Sequence, residues 1–216
     1  MKTSAVIGST GLVGRNLVEI LLENKNYTTI HSISRRKPKQ ESSKLAHIDF
    51  DSGGYSIPQN IDTAFCCLGT TMKKAGSKEL FRKVDFEMVV DFAKKAKESG
   101  INRFALVSSI GANPNSSNFY LRTKGETEEE LKKIGFDRLV IVRPSLLLGK
   151  RSEKRLGEDI GKALYSIFRF LFIGPLKKYR GIYASDVAKA MIVLAERGQG
   201  IIVAESNALK MFSEEY

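Results

Sequence analysis

A tyrosine and a lysine four residues apart, Tyr120 and Lys124, are the side chains of this sequence best suited to moving a proton. At 3.6 residues per turn, side chains four apart project from one face of a helix. Free tyrosine has a pKa of about 10, too high for an effective base at neutral pH, but a neighbouring ammonium favours the phenolate. The spacing therefore predicts an acid/base pair in which Lys124 tunes Tyr120.

Two serines, Ser108 and Ser109, directly follow the apolar run Phe104-Ala105-Leu106-Val107. Ligands of open α/β sheets bind at the carboxyl ends of strands, so these hydroxyls are placed to meet a ligand. We expect Ser109 to hold the carbonyl oxygen of a substrate while Tyr120 passes a proton. A strand-end cap is the alternative role for the serine pair.

A glycine-rich segment follows the first predicted strand and opens the first predicted helix, and it reads Gly8-Ser9-Thr10-Gly11-Leu12-Val13-Gly14. Gly8 permits a tight turn, Gly11 allows the backbone close to a pyrophosphate, and Gly14 lets the helix pack against the sheet. Free N–H groups and the positive end of the helix dipole would hold the phosphates. The segment predicts a dinucleotide site, and a purely structural turn is the alternative.

The end of the second predicted strand, Ser32-Ile33-Ser34-Arg35-Arg36, contains no carboxylate. An NAD site has an acidic residue here to accept hydrogen bonds from the ribose 2′-hydroxyl. A guanidinium instead binds a 2′-phosphate through paired charge-assisted hydrogen bonds. Arg35 and Arg36 therefore predict NADP(H) rather than NAD(H). Two arginines on a surface loop are the alternative.

Strand and helix patterns alternate along the chain and must position these residues. Apolar runs predict strands at 3–7, 28–33, 45–50, 61–68, 104–108, 139–143 and 200–204. Helical patterns cover 12–23, 77–99, 118–134 and 186–197. The stretch 37–44 is too short and polar for a crossover helix, so we expect an irregular loop there. The continuously apolar strands predict an α/β fold, a Rossmann-type doubly wound parallel sheet of three layers.

The length of 216 residues fits a single domain, with residues from about 145 to 182 forming a small lid or substrate-side lobe. Lys and Arg number 35 against 24 Asp and Glu, a net charge of +11. These basic residues are scattered, and no zinc-finger spacing or aromatic RNA-binding motif accompanies them. We therefore expect no specific nucleic-acid partner.

Three further features bear on location and on metals. No apolar run approaches the roughly 20 residues that cross a bilayer, and the N-terminal segment lacks a secretory pattern. The adjacent Cys66 and Cys67 do not make a disulfide scaffold. We therefore expect a cytoplasmic protein. No His or Cys cluster predicts a metal site, and the cysteines, His31 and His47 are interpreted as structural.

The chain resembles the short-chain dehydrogenase/reductase superfamily, and more closely its atypical branch of Tat-interacting-protein-like NAD(P)H-binding oxidoreductases. The matching segments are Gly8 to Gly14, Arg35-Arg36, Cys66-Cys67-Leu68-Gly69-Thr70-Thr71, Lys74-Ala75-Gly76, Ser108-Ser109, Ser116-Ser117-Asn118-Phe119-Tyr120, Lys124-Gly125-Glu126 and Arg143-Pro144. The run from Cys66 to Thr71 is far more specific than the glycines.

This resemblance implies a role for each matching position. Thr10 to Val13 would hold the pyrophosphate, Leu68 and Gly69 would line the ribose and nicotinamide, and Tyr120 would be the acid/base group assisted by Lys124. The other implied cofactor contacts are Ser9, Arg35, Arg36, Thr70, Ser108, Lys124, Pro144, Leu147 and Arg155. Asp85 stands where many relatives in the broader superfamily have asparagine, so their proton relay does not transfer directly.

The sequence therefore predicts an NADP(H)-dependent oxidoreductase that transfers hydride to or from a small carbonyl or alcohol, with Tyr120 giving or taking the proton. The alternatives are a redox-sensing adaptor with little turnover and a relative of nucleotide-sugar epimerases or dehydratases, for which the C-terminal section is short. The apolar segment 163–175 is interpreted as core or lid, and contact with an anionic membrane is the weaker alternative. A homodimer or a protein partner is left open.

Overall fold

The structure, a computed structural model, describes residues 1–50, 54–149 and 180–216. Its centre is a parallel sheet of seven strands in the order β3-β2-β1-β4-β5-β6-β9, and β7 pairs with β8 in a separate two-stranded sheet. The strands are β1 Lys2–Ile7, β2 Tyr27–Ser34, β3 Leu45–Asp49, β4 Thr63–Cys66, β5 Arg103–Val107, β6 Arg138–Arg143, β7 Leu147–Leu148, β8 Ile182–Tyr183 and β9 Gly200–Glu205. The predicted doubly wound α/β fold is confirmed.

Helices cover both faces of this sheet. They are α1 Leu12–Glu23, α2 Met72–Ala75, α3 Lys78–Arg82, α4 Met88–Glu98, α5 Phe119–Lys133, α6 Ala184–Glu196 and α7 Ser206–Glu214. A π-helical segment, Lys83–Glu87, joins α3 to α4. The strand order reverses at β1, which lies between β2 and β4, so the carboxyl ends of β1 and β4 form the crevice where such sheets bind ligands.

Each face of the sheet carries its own hydrophobic core because neighbouring strand residues point to opposite sides. Val6 packs with α1 and α6 on one face, whereas Ala5 and Ile7 pack with α4 and α5 on the other. The adjacent cysteines divide in the same way, with Cys66 in the second core and Cys67 packed against the first. Their interpretation as small apolar fillers of the sheet fits this placement.

Local signals account for the helix ends that matter to the site. Asn118 caps α5, its side-chain oxygen accepting the N–H of Leu121 at 3.2 Å. Ser77 caps α3 through the N–H of Leu80. The helix expected over 77–99 is present as one run from Lys78 to Glu98, with the π-helical segment inside it. The stretch 37–44 is an irregular loop, as expected.

Three elements were not predicted: the short helix α2, the final helix α7 and the β7–β8 pair. The pair joins residues 147–148 to residues 182–183, so the two ends of the expected lid lie side by side. The rest of that lid, with Arg155 and the apolar stretch 163–175, lies outside the described residues. Within residues 1–50, 54–149 and 180–216, no helix is both long and apolar enough to cross a bilayer.

Candidate active site

The glycine loop, Gly8 to Gly14, lies at the carboxyl end of β1 beside the chain that leaves β4. Gly8 has a φ of +74°, and a Cβ added to it would lie 2.6 Å from the carbonyl carbon of Cys67. A Cβ at Gly14 would lie far inside van der Waals contact with the carbonyl oxygen of Gly8. Both positions therefore require glycine, since the loop, α1 and β4 pack without room for a side chain.

The start of α1 leaves its first-turn N–H groups available to an anion. Gly11 is the N-cap, with an ordinary φ of −73° and an exposed surface. Among the described residues, no side chain caps this helix, and its first turn contains no acidic residue. Unpaired N–H groups and the helix dipole together favour phosphate at such an end. The loop thus fits a pyrophosphate, because a glycine Cα leaves space where the N–H groups point.

The second strand ends directly beside the glycine loop. The buried hydroxyls of Ser9 and Ser32 are hydrogen-bonded at 2.7 Å, which ties the loop to β2. Arg35 and Arg36 follow β2 and are exposed. Across the sheet, Asp49 at the end of β3 is paired in register with Ser34. Arg35 and Arg36 therefore lie at the carboxyl end of β2, with one carboxylate on the neighbouring strand, and their binding of a 2′-phosphate stays a prediction.

The two serines after β5 have different surroundings. Ser108 is buried, and its hydroxyl donates to the carboxylate of Glu128. Ser109 is partly exposed, and its hydroxyl makes only a long 3.4 Å contact with the carbonyl oxygen of Ile110. The hydroxyl of Ser109 is thus the more accessible of the two, whereas that of Ser108 is engaged in joining β5 to α5.

Tyr120 and Lys124 lie one turn apart on α5. Tyr120 is partly exposed, and its ring packs against that of Phe81 with 5.5 Å between ring centroids. Lys124 is only 4% exposed, and its Nζ lies 2.7 Å from Oδ1 of Asp85. Burial lowers the pKa of Lys124, but Asp85, Tyr120 and Cys66 outweigh it and leave that pKa above its ordinary value. The ammonium is therefore held charged inside the protein.

Asp85, which the sequence singled out only as a departure from the asparagine of relatives, is the partner of Lys124 that sequence reasoning did not assign. It is fully buried in the π-helical segment, and its Oδ2 accepts the N–H of Thr70 at 2.8 Å. The sequence did contain a signal, because Phe81, Asp85 and Val89 are spaced by four and all three are buried. A carboxylate on the apolar stripe of an amphipathic helix needs a partner, and Lys124 supplies it.

The β4–α2 loop, residues 67–71, lies against this ion pair. A Cβ added to Gly69 would lie 3.5 Å from Oδ1 of Asp85 and 3.8 Å from Nζ of Lys124. Leu68 packs against the core beneath the loop. The predicted ribose contacts and the predicted acid/base pair are therefore brought together, next to the glycine loop.

The chain after β6 returns to the same edge of the sheet. Pro144 is buried, and its carbonyl oxygen accepts the N–H of Ile110 at 3.1 Å. Leu147 lies in β7, and two residues later a Cβ at Gly149 would lie 3.1 Å from a methyl carbon of Leu12. This segment thus passes close to the first turn of α1, and its contact with a cofactor stays a prediction. The predicted contact Arg155 lies outside the described residues.

A second buried carboxylate, that of Glu128, joins the elements beneath the site. Glu128 is 1% exposed and binds the guanidinium of Arg143 through both oxygens. Hydrogen bonding to Glu128 raises the pKa of Arg143 above its usual range. This network ties α5 to the ends of β5 and β6. In the part of the chain that the structure describes, no three His, Cys, Asp or Glu side chains come together as a metal site.

Comparison with known proteins assigns the family. Residues 8–164 match a protein family described as NAD(P)H-binding, a range that includes the glycine loop, the serine pair, Tyr120 and Lys124. The chain belongs to this NAD(P)H-binding family. The expected dinucleotide site is thereby confirmed at the level of NAD(P)H, while the choice between NADP(H) and NAD(H) stays a prediction. The Tat-interacting-protein-like branch also stays a prediction.

Curated relatives resemble this NAD(P)H-binding chain over most of its length. "Protein FMP52, mitochondrial" of Debaryomyces hansenii is 35% identical, covering 92% of this chain and 91% of the relative. The protein of that name from Candida albicans is 38% identical, covering 89% and 87%. The expectation of a cytoplasmic protein is wrong, since these relatives are named mitochondrial proteins. Composition and the missing secretory pattern could not distinguish the two compartments.

Solved structures with the same fold are larger. A UDP-N-acetylglucosamine 4-epimerase from Methanobrevibacter ruminantium superposes with a TM-score of 0.69 at 17% identity, over 98% of this chain and 80% of the epimerase. The Bordetella bronchiseptica enzyme WbmH in complex with NAD⁺ gives a TM-score of 0.69 at 16% identity, over 99% and 80%. At these identities the likeness concerns the fold of this NAD(P)H-binding domain alone.

Proposed function

We propose that this protein is an NADP(H)-dependent oxidoreductase that acts on a small carbonyl or alcohol. The observation that carries the proposal is the position of the charged Nζ of Lys124, one helical turn from Tyr120 and against the backbone of Gly69. An ammonium at this position can donate a hydrogen bond to a ribose hydroxyl and, through its charge, stabilise the phenolate of Tyr120. The nicotinamide ring, when bound, supplies or accepts the hydride.

In the proposed reaction, the chain's own residues position the substrate and move the proton. The hydroxyl of Ser109 donates a hydrogen bond to the substrate oxygen, and the phenol of Tyr120 gives its proton to that oxygen or takes one from it. Lys124 stabilises the phenolate through its positive charge. Phe81, itself fully buried, packs against the ring of Tyr120 and holds that ring in place.

Substitution of Tyr120 tests the reaction. We expect Tyr120→Phe to leave the Kd for NADPH nearly unchanged and to lower kcat about 100-fold or more, because a phenyl ring carries no transferable proton. The assay is NADPH oxidation against aldehydes, ketones and quinones. Tyr55→Phe is the matched control, since its hydroxyl only approaches Asp91 at 3.4 Å on α4. Unchanged turnover in Tyr120→Phe rules out the proton-transfer role.

Cofactor choice is tested by direct binding. We expect NADPH to bind about tenfold or more tightly than NADH, since hydrogen bonds to a charged phosphate contribute at least 1.4 kcal/mol. The double substitution of Arg35 and Arg36 by Ala should remove that difference, and Lys39→Ala in the same loop is the control. Equal affinity of the wild-type protein for both nucleotides rejects the NADP(H) assignment. Tight NADPH binding without turnover on any substrate favours the redox-sensing adaptor instead.

The mitochondrial location of the relatives is proposed for this chain as well. Its support is the name of the FMP52 proteins, which match most of the chain. The test is fractionation of cells that express the full chain with a C-terminal fluorescent fusion. Recovery with mitochondrial markers supports the location, and recovery with a different compartment contradicts it.

A further inference from the structure

Asp85 and Lys124 form a buried ion pair directly beneath the β4–α2 loop. The side chain of Asp85 is 0% exposed and that of Lys124 is 5% exposed. Removing both charges from water costs several kcal/mol per ion, and mutual attraction seldom returns more than that. Fold stability is thus a weak reason for keeping this pair, and a role at the site is the stronger one.

The contacts of Asp85 join three parts of the site. Oδ1 lies 2.7 Å from Nζ of Lys124 on α5, and Oδ2 accepts the N–H of Thr70 in the β4–α2 loop at 2.8 Å. The backbone carbonyl oxygen of Asp85 accepts the hydroxyl of Thr127, again from α5, at 2.8 Å. The carboxylate is therefore fixed from both sides, and the ammonium is fixed with it.

The π-helical segment places this carboxylate. One wide turn, Lys83–Glu87, interrupts an otherwise α-helical run and contains Asp85 near its middle. Such turns are uncommon and occur often at functional sites. The charged or titratable groups that act on Lys124 are Asp85 from this segment, Tyr120 from α5 and Cys66 from β4. Of these three, Asp85 makes the direct contact.

We propose that Asp85 is a positioning residue, whose carboxylate holds the charged ammonium of Lys124 against the β4–α2 loop where the cofactor ribose and Tyr120 both require it. The inference rests on the proposed function. It differs from a relay that uses a neutral asparagine, because an amide brings no negative charge to offset the burial of the lysine. Asp85→Asn removes that charge and replaces one of the two acceptor oxygens by an –NH2 donor, so the N–H of Thr70 keeps its acceptor only when the –NH2 faces the ammonium of Lys124.

The first test needs no cofactor. The Nζ charge of Lys124 is followed through the ¹³Cε resonance of labelled lysine, assigned by its loss in Lys124→Arg. In the wild-type protein this resonance should titrate at a higher pH than the ordinary value for lysine. In Asp85→Asn it should titrate at lower pH than in the wild type, because burial then acts alone. Asp62→Asn, which alters a carboxylate bound to the N–H of Thr3, is the matched control.

The second test measures NADPH binding and turnover against pH. We expect the affinity and kcat of Asp85→Asn to fall relative to wild type as pH rises from about 6.5 to about 9.5, by about tenfold or more, since a lost charge-assisted hydrogen bond has that effect. A merely structural role would lower both by the same factor at every pH. A ratio to wild type that does not change with pH therefore overturns the inference.

The two proposals fail separately. If the wild-type protein binds neither NADPH nor NADH, the proposed function is rejected on its own evidence. If NADPH binds but Lys124 in Asp85→Asn titrates as in wild type, only the positioning role is rejected. If Asp85→Asn does not fold, the wild-type titration decides: a Lys124 resonance that titrates at or below the ordinary value for lysine rejects the role.

Discussion

The three glycines of the glycine loop meet different physical demands. Gly8 requires a positive φ and a close approach to Cys67, and Gly14 requires a close approach to the carbonyl oxygen of Gly8. Gly11 needs no positive φ, because its φ is −73°, and a Cβ there would meet the carbonyl oxygen of Gly8 at 3.2 Å, a tighter contact than usual but far milder than those at Gly8 and Gly14. The approach of a ligand from outside is the further reason for a glycine here.

Alanine substitution should separate these demands. We expect Gly11→Ala to weaken NADPH binding about tenfold or more while lowering the melting temperature less than Gly14→Ala does, since its methyl group stands where a phosphate would lie and meets the backbone less closely. Gly14→Ala should instead lower the free energy of unfolding by about 1–3 kcal/mol, because a methyl group is forced into packed backbone. Fluorescence titration and thermal melts measure both.

The control for this pair is Gly76→Ala. It adds the strain of a positive φ of 79° in open space, far along the chain from the glycine loop. It should cost about 1 kcal/mol in stability and leave NADPH affinity unchanged. Normal NADPH binding by Gly11→Ala would count against a pyrophosphate at this turn.

Helix α5 is the element that organises the site. Tyr120, Lys124 and Glu128 follow one another at intervals of four residues, so one stripe carries the phenol, the buried ammonium and the carboxylate bound to Arg143. Lys124 and Glu128 fix the helix to the β4–α2 loop and to the ends of β5 and β6, and Tyr120 is the proposed acid/base group. The sequence showed the first interval, but nothing in it identified Glu128 as buried.

Loss of the Glu128 charge should destabilise the fold. We expect Glu128→Gln to lower the free energy of unfolding by roughly 3 kcal/mol, because breaking one side of a buried pair leaves a charge without compensation. Urea unfolding followed by circular dichroism measures this change. Glu130→Gln, which breaks the exposed pair with Lys133 on the same helix, is the matched control and should cost less than about 1 kcal/mol. Equal effects of the two variants would contradict the buried network.

The whole molecule should be most stable in a window around neutral pH. Burial lowers the pKa of His31, so its contribution to stability is complete above the unfolded value of about 6.5 and is lost as pH falls below it. Burial raises the pKa of Cys66 to about 12, and it also raises the pKa of Tyr27 and Tyr55. The contribution of these three groups to stability is complete below their unfolded pKa values and declines as pH rises above them.

The unfolded pKa of cysteine, about 8.5, places the start of the alkaline decline. We therefore expect the urea midpoint to be highest between about pH 6.5 and 8.5 and to fall on both sides. Replacing Cys66 by Ala should make the alkaline decline less steep, because that thiol is removed, while Cys67, whose pKa burial also raises, keeps part of the decline. A midpoint that rises from pH 8.5 to pH 10 would contradict this prediction.

Much of the architecture could be predicted because the hydrophobic pattern of each segment favours the same strand or helix that the fold contains. Continuous apolar strands with intervening amphipathic helices favour a parallel sheet, and the observed α1 covers the predicted residues 12–23. The final helix α7 and the β7–β8 pair escaped prediction. Strands β7 and β8 have two residues each, too few to show an alternation of apolar and polar side chains. Helix α7 has nine residues, and its apolar spacing was not recognised.

The order and type of residues along the chain determined the Rossmann sheet, the dinucleotide turn and the tyrosine–lysine couple, because each depends on contacts over a few residues or on a strict period. Tertiary structure alone decided which side chains the buried carboxylates bind. Asp85 reaches Lys124 across 39 positions of sequence and Glu128 reaches Ser108 across 20. Such pairings arise only when separate elements pack together, and no local pattern encodes their distances.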